Sequence, residues 1–356
     1  MTVRIAAGVF AERMAGLLAA VRREGGRLRV AVAVSGGADS LAAAALVDEW
    51  IAAGAAAEAS VVTVDHRLRA EAAEEAAWVA SLPGSPLLPA MAPGAGTVLR
   101  VDEPPSSQEH GRMLRYAAMA RYAARSGIDV IITGHSADDV AESTLLRAGQ
   151  ASGVDGLAAM AAMAVLRPPP TLLAERNVRT SEHLSADGPP WLSRPLTRHT
   201  RAQLEATCEA FGLAPGGWVA DPSNEMTKYA RTRARLALRL PAAAVVDASG
   251  SLAQTALVLR DMRDAAEAQL ASWRAAHVAV RLDGSLCVAD EALDALPQVL
   301  RLRAVSMLIT AVAQRTYPPR RRGVEAVLAL VPGASQTVAG VLAVRRSGRL
   351  EFKAQP

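Results

Sequence analysis

Residues 28 to 40, Leu-Arg-Val-Ala-Val-Ala-Val-Ser-Gly-Gly-Ala-Asp-Ser, constrain the fold more than any other stretch of the chain. Leu28 to Val34 is an almost unbroken apolar and β-branched run, the pattern of a strand covered on both faces in a parallel sheet. Ser35-Gly36-Gly37 ends the run, and Leu41 to Ile51 then has the Ala/Leu-rich composition of a helix. A strand, a glycine turn and a helix start make an anion site. Glycine allows close backbone approach, and the first helical amides have no internal acceptor. Ser35 and Ser40 add hydroxyl donors, and Asp39 sets a carboxylate beside any bound polyphosphate, where it would contact Mg²⁺. The stretch matches neither G-x-x-x-x-G-K-[ST] nor G-x-G-x-x-G. An ordinary tight βα turn would explain the two glycines, but not the whole string Ser35-Gly36-Gly37-Ala38-Asp39-Ser40.

Three more strand-like runs follow. Ser60 to Asp65 ends in Asp65-His66-Arg67-Leu68-Arg69 and leads into a helix over 70–81. Polar groups at the carboxyl end of a parallel strand stand where doubly wound sheets bind ligands, although a solvated loop reads the same way. Thr97 to Val101 is the third strand. Ser106-x-x-Glu109 then reads as a capping box opening a helix from Ser107 to Ser126. Arg112 and Arg115 share a face of it, suited to phosphate, carboxylate or nucleic acid, or to solvent. Ile128 to Thr133 is the fourth strand, followed by Gly134-His135-Ser136 and a helix start at Ala137. Asp138 and Glu142 lie one turn apart, with Asp139 beside them. First-turn acids complement a helix dipole, but with His135 they also suit Mg²⁺ or an ammonium substrate. Strands alternating with helices imply an α/β fold, a doubly wound parallel sheet with right-handed crossovers.

Gly149 to Met163 reads as a Gly/Ala-rich connector, and Thr200 to Phe211 as a helix. Between Lys228 and Arg239 lies the densest basic patch: Arg231, Arg235 and Arg239 on one helical ridge, Arg233 on the far side and Lys228 adjoining. Such a ridge suits a phosphate backbone, or simply water. From Ser249 the character changes to a long amphipathic helix, a hairpin around Asp283-Gly284, two helices and a final strand pair over 337–352. The expected organisation is an α/β domain over 1–216, a basic linker helix over 217–248 and a smaller α+β domain over 249–356.

Only 12 of the 356 residues are aromatic (Phe 3, Trp 5, Tyr 4), so the core must rest on Ala, Leu and Val. No apolar run approaches ~18 residues, so no spanning helix is expected. Cys208 and Cys287 are far apart, which argues against a structural zinc, an iron–sulfur cluster or disulfides and fits a reducing cytosolic setting. The net charge of +4 permits a polyanionic partner without requiring one.

Ser35 to Ser40 resembles the SGGxDS signature of the PP-loop ATP pyrophosphatases, which split ATP between the α- and β-phosphates. The remaining motifs resemble, in order, those of tRNA(Ile)-lysidine synthetases: Val64 to Arg69, Gln108 to Arg112 with Arg115-Tyr116, Gly134 to Ser143, Arg194-Pro195-Leu196, and Asp221-Pro222-Ser223-Asn224 through Arg231, Arg233 and Arg235. The resemblance covers about 28–240, with departures at Ser136, Val140, Ser143, Ala220 and Thr232. It implies that ATP adenylates the C2 oxygen of the wobble cytidine in a CAU-anticodon isoleucine tRNA. Free L-lysine then displaces AMP through its ε-amine. It further implies a nucleotide cradle from Ser35 to Ser40 with Asp65 and His66, and Mg²⁺ held through ATP and Asp39. Arg112 would stabilise the α-phosphate. Asp138, Asp139 and Glu142, with His135 nearby, would receive lysine, and Arg194, Lys228, Arg231, Arg233, Arg235 and Arg239, with the C-terminal domain over 249–356, the tRNA. A homodimer is left open. The alternatives are a 2-thiocytidine-type sulfur transferase, a small-molecule PP-loop ligase, and a non-catalytic nucleotide- or RNA-binding protein.

Overall fold

A computed structural model describes residues 2–19, 21, 26–68, 71–150, 154–166, 189–219, 230–239, 248–314 and 318–355. The chain divides into two compact units, Met1–Arg260 and Asp261–Pro356.

The first unit contains α1 (Ala7–Leu18), β1 (Leu28–Ala33), α2 (Ala38–Ala52), β2 (Ala57–Asp65), α3 (Glu71–Ala80) and β3 (Gly96–Arg100). These are followed by α4 (Gln108–Ser126), β4 (Val130–Thr133), α5 (Ala137–Ala148), α6 (Val154–Leu157), β5 (Met163–Val165) and β6 (Trp191–Ser193). Then come α7 (Arg201–Ala210), α8 (Ala230–Arg239) and the part of α9 (Ala248–His277) up to Arg260. The unit boundary falls inside α9, not at the expected 248/249.

The sheet runs β3-β2-β1-β4-β6-β5, with every neighbouring pair parallel except β5–β6. The four strands expected from sequence are present. β5 and β6 are additional, each three residues long, too short for an alternation to be read. Because β2 lies on one side of β1 and β4 on the other, the order reverses between β1 and β4. Their carboxyl ends therefore open the crevice where such sheets take ligands.

The continuous apolar run of β1 follows from burial on both faces. Val30 and Val32 face a core containing Phe10, Met14, Leu41, Leu46 and Leu204, while Ala31 faces Met119, Ile128 and Ile131. Fully buried Val and Leu side chains contribute about 1.5–3 kcal/mol each. Ala42, Ala43, Ala44 and Ala45 are all buried, so α2 is covered all round at its middle, where small side chains allow close packing. The start of α4 differs from expectation by one residue. Ser107 is the N-cap, its hydroxyl accepting from the His110 N–H at 3.0 Å, while the Ser106 hydroxyl lies 3.0 Å from His110 Nδ1.

The second unit places β7 (Val278–Val280), β8 (Leu286–Ala289), α10 (Asp290–Asp294), α11 (Gln298–Ala313) and α12 (Arg321–Leu328) before β9 (Ser335–Val338), β10 (Val341–Arg346) and β11 (Arg349–Ala354). Its antiparallel sheet runs β7-β8-β11-β10-β9 around a core including Leu308, Ile309, Val341 and Phe352. The final segment makes three strands where two were expected. No helix among the described residues is long and apolar enough to cross a membrane.

Candidate active site

The turn after β1 is shaped by glycine and braced by serine. Gly36 has φ +85°, and a Cβ there would meet Val219 Cγ2 at 2.7 Å. The Val219 N–H donates to the Gly36 carbonyl at 2.9 Å. The Ser40 hydroxyl donates to the Gly37 carbonyl (2.8 Å) and accepts from the Ser35 N–H (3.1 Å). Ser40 therefore holds the turn closed from within. Gly37 caps α2 without any side-chain acceptor for the first-turn amides, the condition for an anion site at a helix start. From the other side of the crevice, Gly134 backs directly onto the first turn of α2, against the Asp39 carbonyl.

Asp39 projects from that turn. Its Oδ2 accepts from Arg201 Nη2 (2.9 Å) and Nε (3.3 Å), whereas Oδ1 is buried with no hydrogen-bond partner. Burial pushes its pKa up to about 6 against the pull of Arg201, and the charges of Asp139 and Asp138 add to the rise. A buried carboxylate oxygen left without a donor fits a cation, and oxygen is the donor Mg²⁺ prefers. Among the described residues no group of three or more His, Cys, Asp and Glu could hold a metal alone, so the remaining ligands would come from nucleotide phosphate and water.

Arg201 is the residue that sequence reasoning missed. It opens α7 after a Thr200–Gln203 capping box, and its backbone N–H donates to Asp138 Oδ2 at 2.7 Å. One residue thus touches both the carboxylate of the phosphate loop and the first carboxylate of the acidic helix. The capping box was legible. The return of the side chain to Asp39, 162 residues away, leaves no local pattern.

The acidic helix is α5. Ser136 caps it reciprocally with Asp139, its N–H donating to Asp139 Oδ2 at 3.0 Å. Asp139 Oδ1 accepts from Arg231 Nη2 at 2.7 Å. Burial alone would raise the Asp139 pKa, but Arg231 and its other donors hold it below the usual carboxylate range. Glu142, only 2% exposed, accepts from Arg231 Nε (2.9 Å) and from Arg235 Nε (2.6 Å). The ridge expected to face a polyanion is therefore turned inward at Arg231 and Arg235. Arg233 is exposed on the far side, as expected. Arg239 ends α8, and Lys228 and Asp221 to Asn224 lie outside the described residues.

The other candidates are placed as follows. Arg112 is exposed, its guanidinium 4.9 Å from the centre of the Tyr116 ring. His135 Nδ1 lies 2.8 Å from Thr133 Oγ1. Burial, reinforced by Arg194, Arg112 and Arg231 and opposed by Asp139, brings the His135 pKa down to about 3, so the imidazole is neutral. Arg194 is 7% exposed and donates to the Ala161 carbonyl at 2.7 Å. It is buried, not presented to a polyanion. Asp65 is buried and accepts from the Arg67 N–H at 2.8 Å, with half-buried His66 beside it. Val140, where a glutamine is usual in the resemblance, is buried in an apolar cluster with Ala137, Ala141, Ala253 and Ala256.

Residues 10–241 match the PP-loop domain family. The chain is 34% identical over 331 residues to a tRNA(Ile)-lysidine synthase of Novosphingobium aromaticivorans, a match spanning 92% of this chain and 89% of that protein. It is 35% identical over 338 residues to the tRNA(Ile)-lysidine synthase of Salinispora tropica, spanning 90% and 89%. A third such protein, from Ruegeria pomeroyi, is 33% identical over 247 residues, a match covering 69% of this chain but only 52% of that relative. A phosphate loop, an acidic helix facing it and relatives matched along almost their full length lead to one assignment: the chain belongs to the tRNA(Ile)-lysidine synthase family of PP-loop enzymes.

Proposed function

We propose that this enzyme adenylates the C2 oxygen of the wobble cytidine in a CAU-anticodon isoleucine tRNA, then joins free L-lysine at that carbon, releasing AMP and pyrophosphate. The observation that best supports the reading is Arg201 bound at once to Asp39 and Asp138, because it brings the carboxylate of the phosphate loop and that of the acidic helix together. A cytidine C2 oxygen is a poor leaving group until AMP is attached. The turn Ser35 to Ser40 presents the amides that receive pyrophosphate. Asp39 Oδ1 would hold Mg²⁺, which neutralises charge on the phosphates. Arg112, exposed and cationic, would stabilise the α-phosphate during transfer.

Asp138, Asp139 and Glu142 would then bind the lysine ammonium and receive its proton, since only the neutral amine attacks and free lysine is largely protonated near neutrality. Asp139 and Glu142 already hold two guanidinium groups, so a lysine ammonium must displace at least one of them. His135, its pKa brought down to about 3, stays unprotonated near neutrality and contributes no cationic field. The one cysteine of residues 1–260 is poorly suited to carry sulfur for the sulfur-transfer alternative. The Cys208 thiol is buried, donates to the Ala38 carbonyl at 3.2 Å and has its pKa pushed up to about 12 by burial and by Asp39.

The deciding assay is incorporation of labelled lysine into CAU-anticodon isoleucine tRNA, with ATP converted to AMP and pyrophosphate. ADP as product, or turnover that does not need lysine, would sink the reading. A pH dependence accompanies it. Below pH 6 Asp39 of the free protein is protonated, and Mg²⁺ must displace that proton. Mg²⁺-dependent ATP binding, followed by calorimetry, should weaken roughly tenfold per pH unit below about 6 and level off above it. A flat profile from pH 5 to 8 would remove Asp39 as the metal contact.

A further inference from the structure

β3 and the second half of α4 flank an open cleft of about 330 Å³ at the edge of the parallel sheet. Its walls include Val98 and Arg100 from the strand and Arg121, Tyr122 and Arg125 from the helix. Arg121 and Arg125 are four residues apart and share a helix face. Arg100 lines the cleft from the strand side.

These guanidinium groups are only loosely engaged. Arg100 is 3.5 Å from Asp65 with its side chain 72% exposed, and Arg121 is 4.0 Å from Asp102. The Arg121–Asp102 contact is long and reaches solvent on both sides, and Arg100, although paired with the buried Asp65, keeps most of its own side chain in solvent, so an incoming anion can reach both. The guanidinium fork matches two phosphate oxygens at a time. The Tyr122 ring adds an aromatic wall of the sort on which unpaired bases stack. The volume lies within the roughly 300–1,000 Å³ of ligand sites.

We infer that this cleft is a docking site for the backbone phosphates of RNA, formed by Arg100, Arg121 and Arg125 and adjoining the nucleotide cradle through Asp65. Which RNA it receives rests on the function proposed above. The cleft itself does not. With Arg231 and Arg235 turned inward, it supplies cations for a polyanion that the ridge on α8 does not present.

The test uses the full chain and a CAU-anticodon isoleucine tRNA transcript, with affinity measured by anisotropy between 50 and 200 mM salt, at roughly the range where phosphate contacts separate. Arg121→Glu combined with Arg125→Glu should weaken binding at least tenfold. It should also lower the slope of log K against log salt by about 2, since each phosphate contact contributes roughly 0.9. The ATP affinity and melting temperature of the parent should be retained. Arg125→Gln, a milder change at an exposed helix end, should lower the slope by about 1 and guards against a folding defect in the double variant. Affinity and slope equal to the parent's in both variants would overturn the inference. So would loss of inorganic phosphate binding with tRNA binding intact, which would make this a free-anion site. If the parent chain itself binds no tRNA, the proposed substrate fails and this site with it; failure confined to the variants' expected loss sinks only the docking site.

Discussion

Gly134→Ala is expected to slow ATP-dependent pyrophosphate release about 100-fold while leaving the unit folded. A Cβ at position 134 would collide with the Asp39 carbonyl oxygen and come within 2.7 Å of its carbon and 2.9 Å of Ser40 Cα. These are backbone atoms in the first turn of α2, so no side-chain rotation relieves the contact. The phosphate loop must shift away from β4, and a displacement of about 1 Å at a reacting centre can cost about 10²-fold in rate. Overpacking of this kind costs about 1–3 kcal/mol of stability. Single-turnover pyrophosphate release and a thermal melt read the two effects separately. Gly149→Ala is the control, because a Cβ there meets its nearest neighbour at an ordinary 3.6 Å. A Gly134→Ala enzyme that runs at the parental rate would mean that the loop does not depend on its packing against β4.

The second large effect is on stability. Arg231→Met combined with Arg235→Met should destabilise the unit of residues 1–260 by about 3–5 kcal/mol, the usual cost of stripping a buried charge of its partners. Glu142 is 2% exposed, and both of its oxygens are bound by these two arginines. In a unit of this size each kcal/mol lowers the melting temperature by about 2–4 °C. Adding Glu142→Gln should restore part of the loss, because the more deeply buried of the two stripped carboxylates is then neutral, whereas Asp139 still lacks Arg231. A solvated ridge that only touches tRNA predicts the opposite pattern, with an unchanged melting temperature and weaker tRNA binding. The outcome therefore distinguishes an internal ion-pair network from an external basic face.

Much of this site was legible locally. The strand–glycine–helix string at 28–40 announced an anion site because each part is a short-range pattern: an apolar run, a turn that needs glycine, a helix start without acceptors. The acidic start of α5 and its position after a strand were legible for the same reason. The start of α4 was misplaced by one residue, since Ser106 and Ser107 are both competent caps and only the backbone conformation selects between them.

What only the tertiary structure decided lies in contacts across large sequence separations. The order β3-β2-β1-β4 brings the ends of β1 and β4 together, and with them Gly134 and Asp39. Arg201 meets Asp39 across 162 residues, and Arg231 meets Glu142 across 89. The sequence by itself established that a phosphate loop and an acidic helix exist, because periodicity and turn chemistry act over a few residues. Whether a nearby arginine faces solvent or neutralises a buried carboxylate depends on which charges share a low-dielectric crevice, and that is set by chain topology alone.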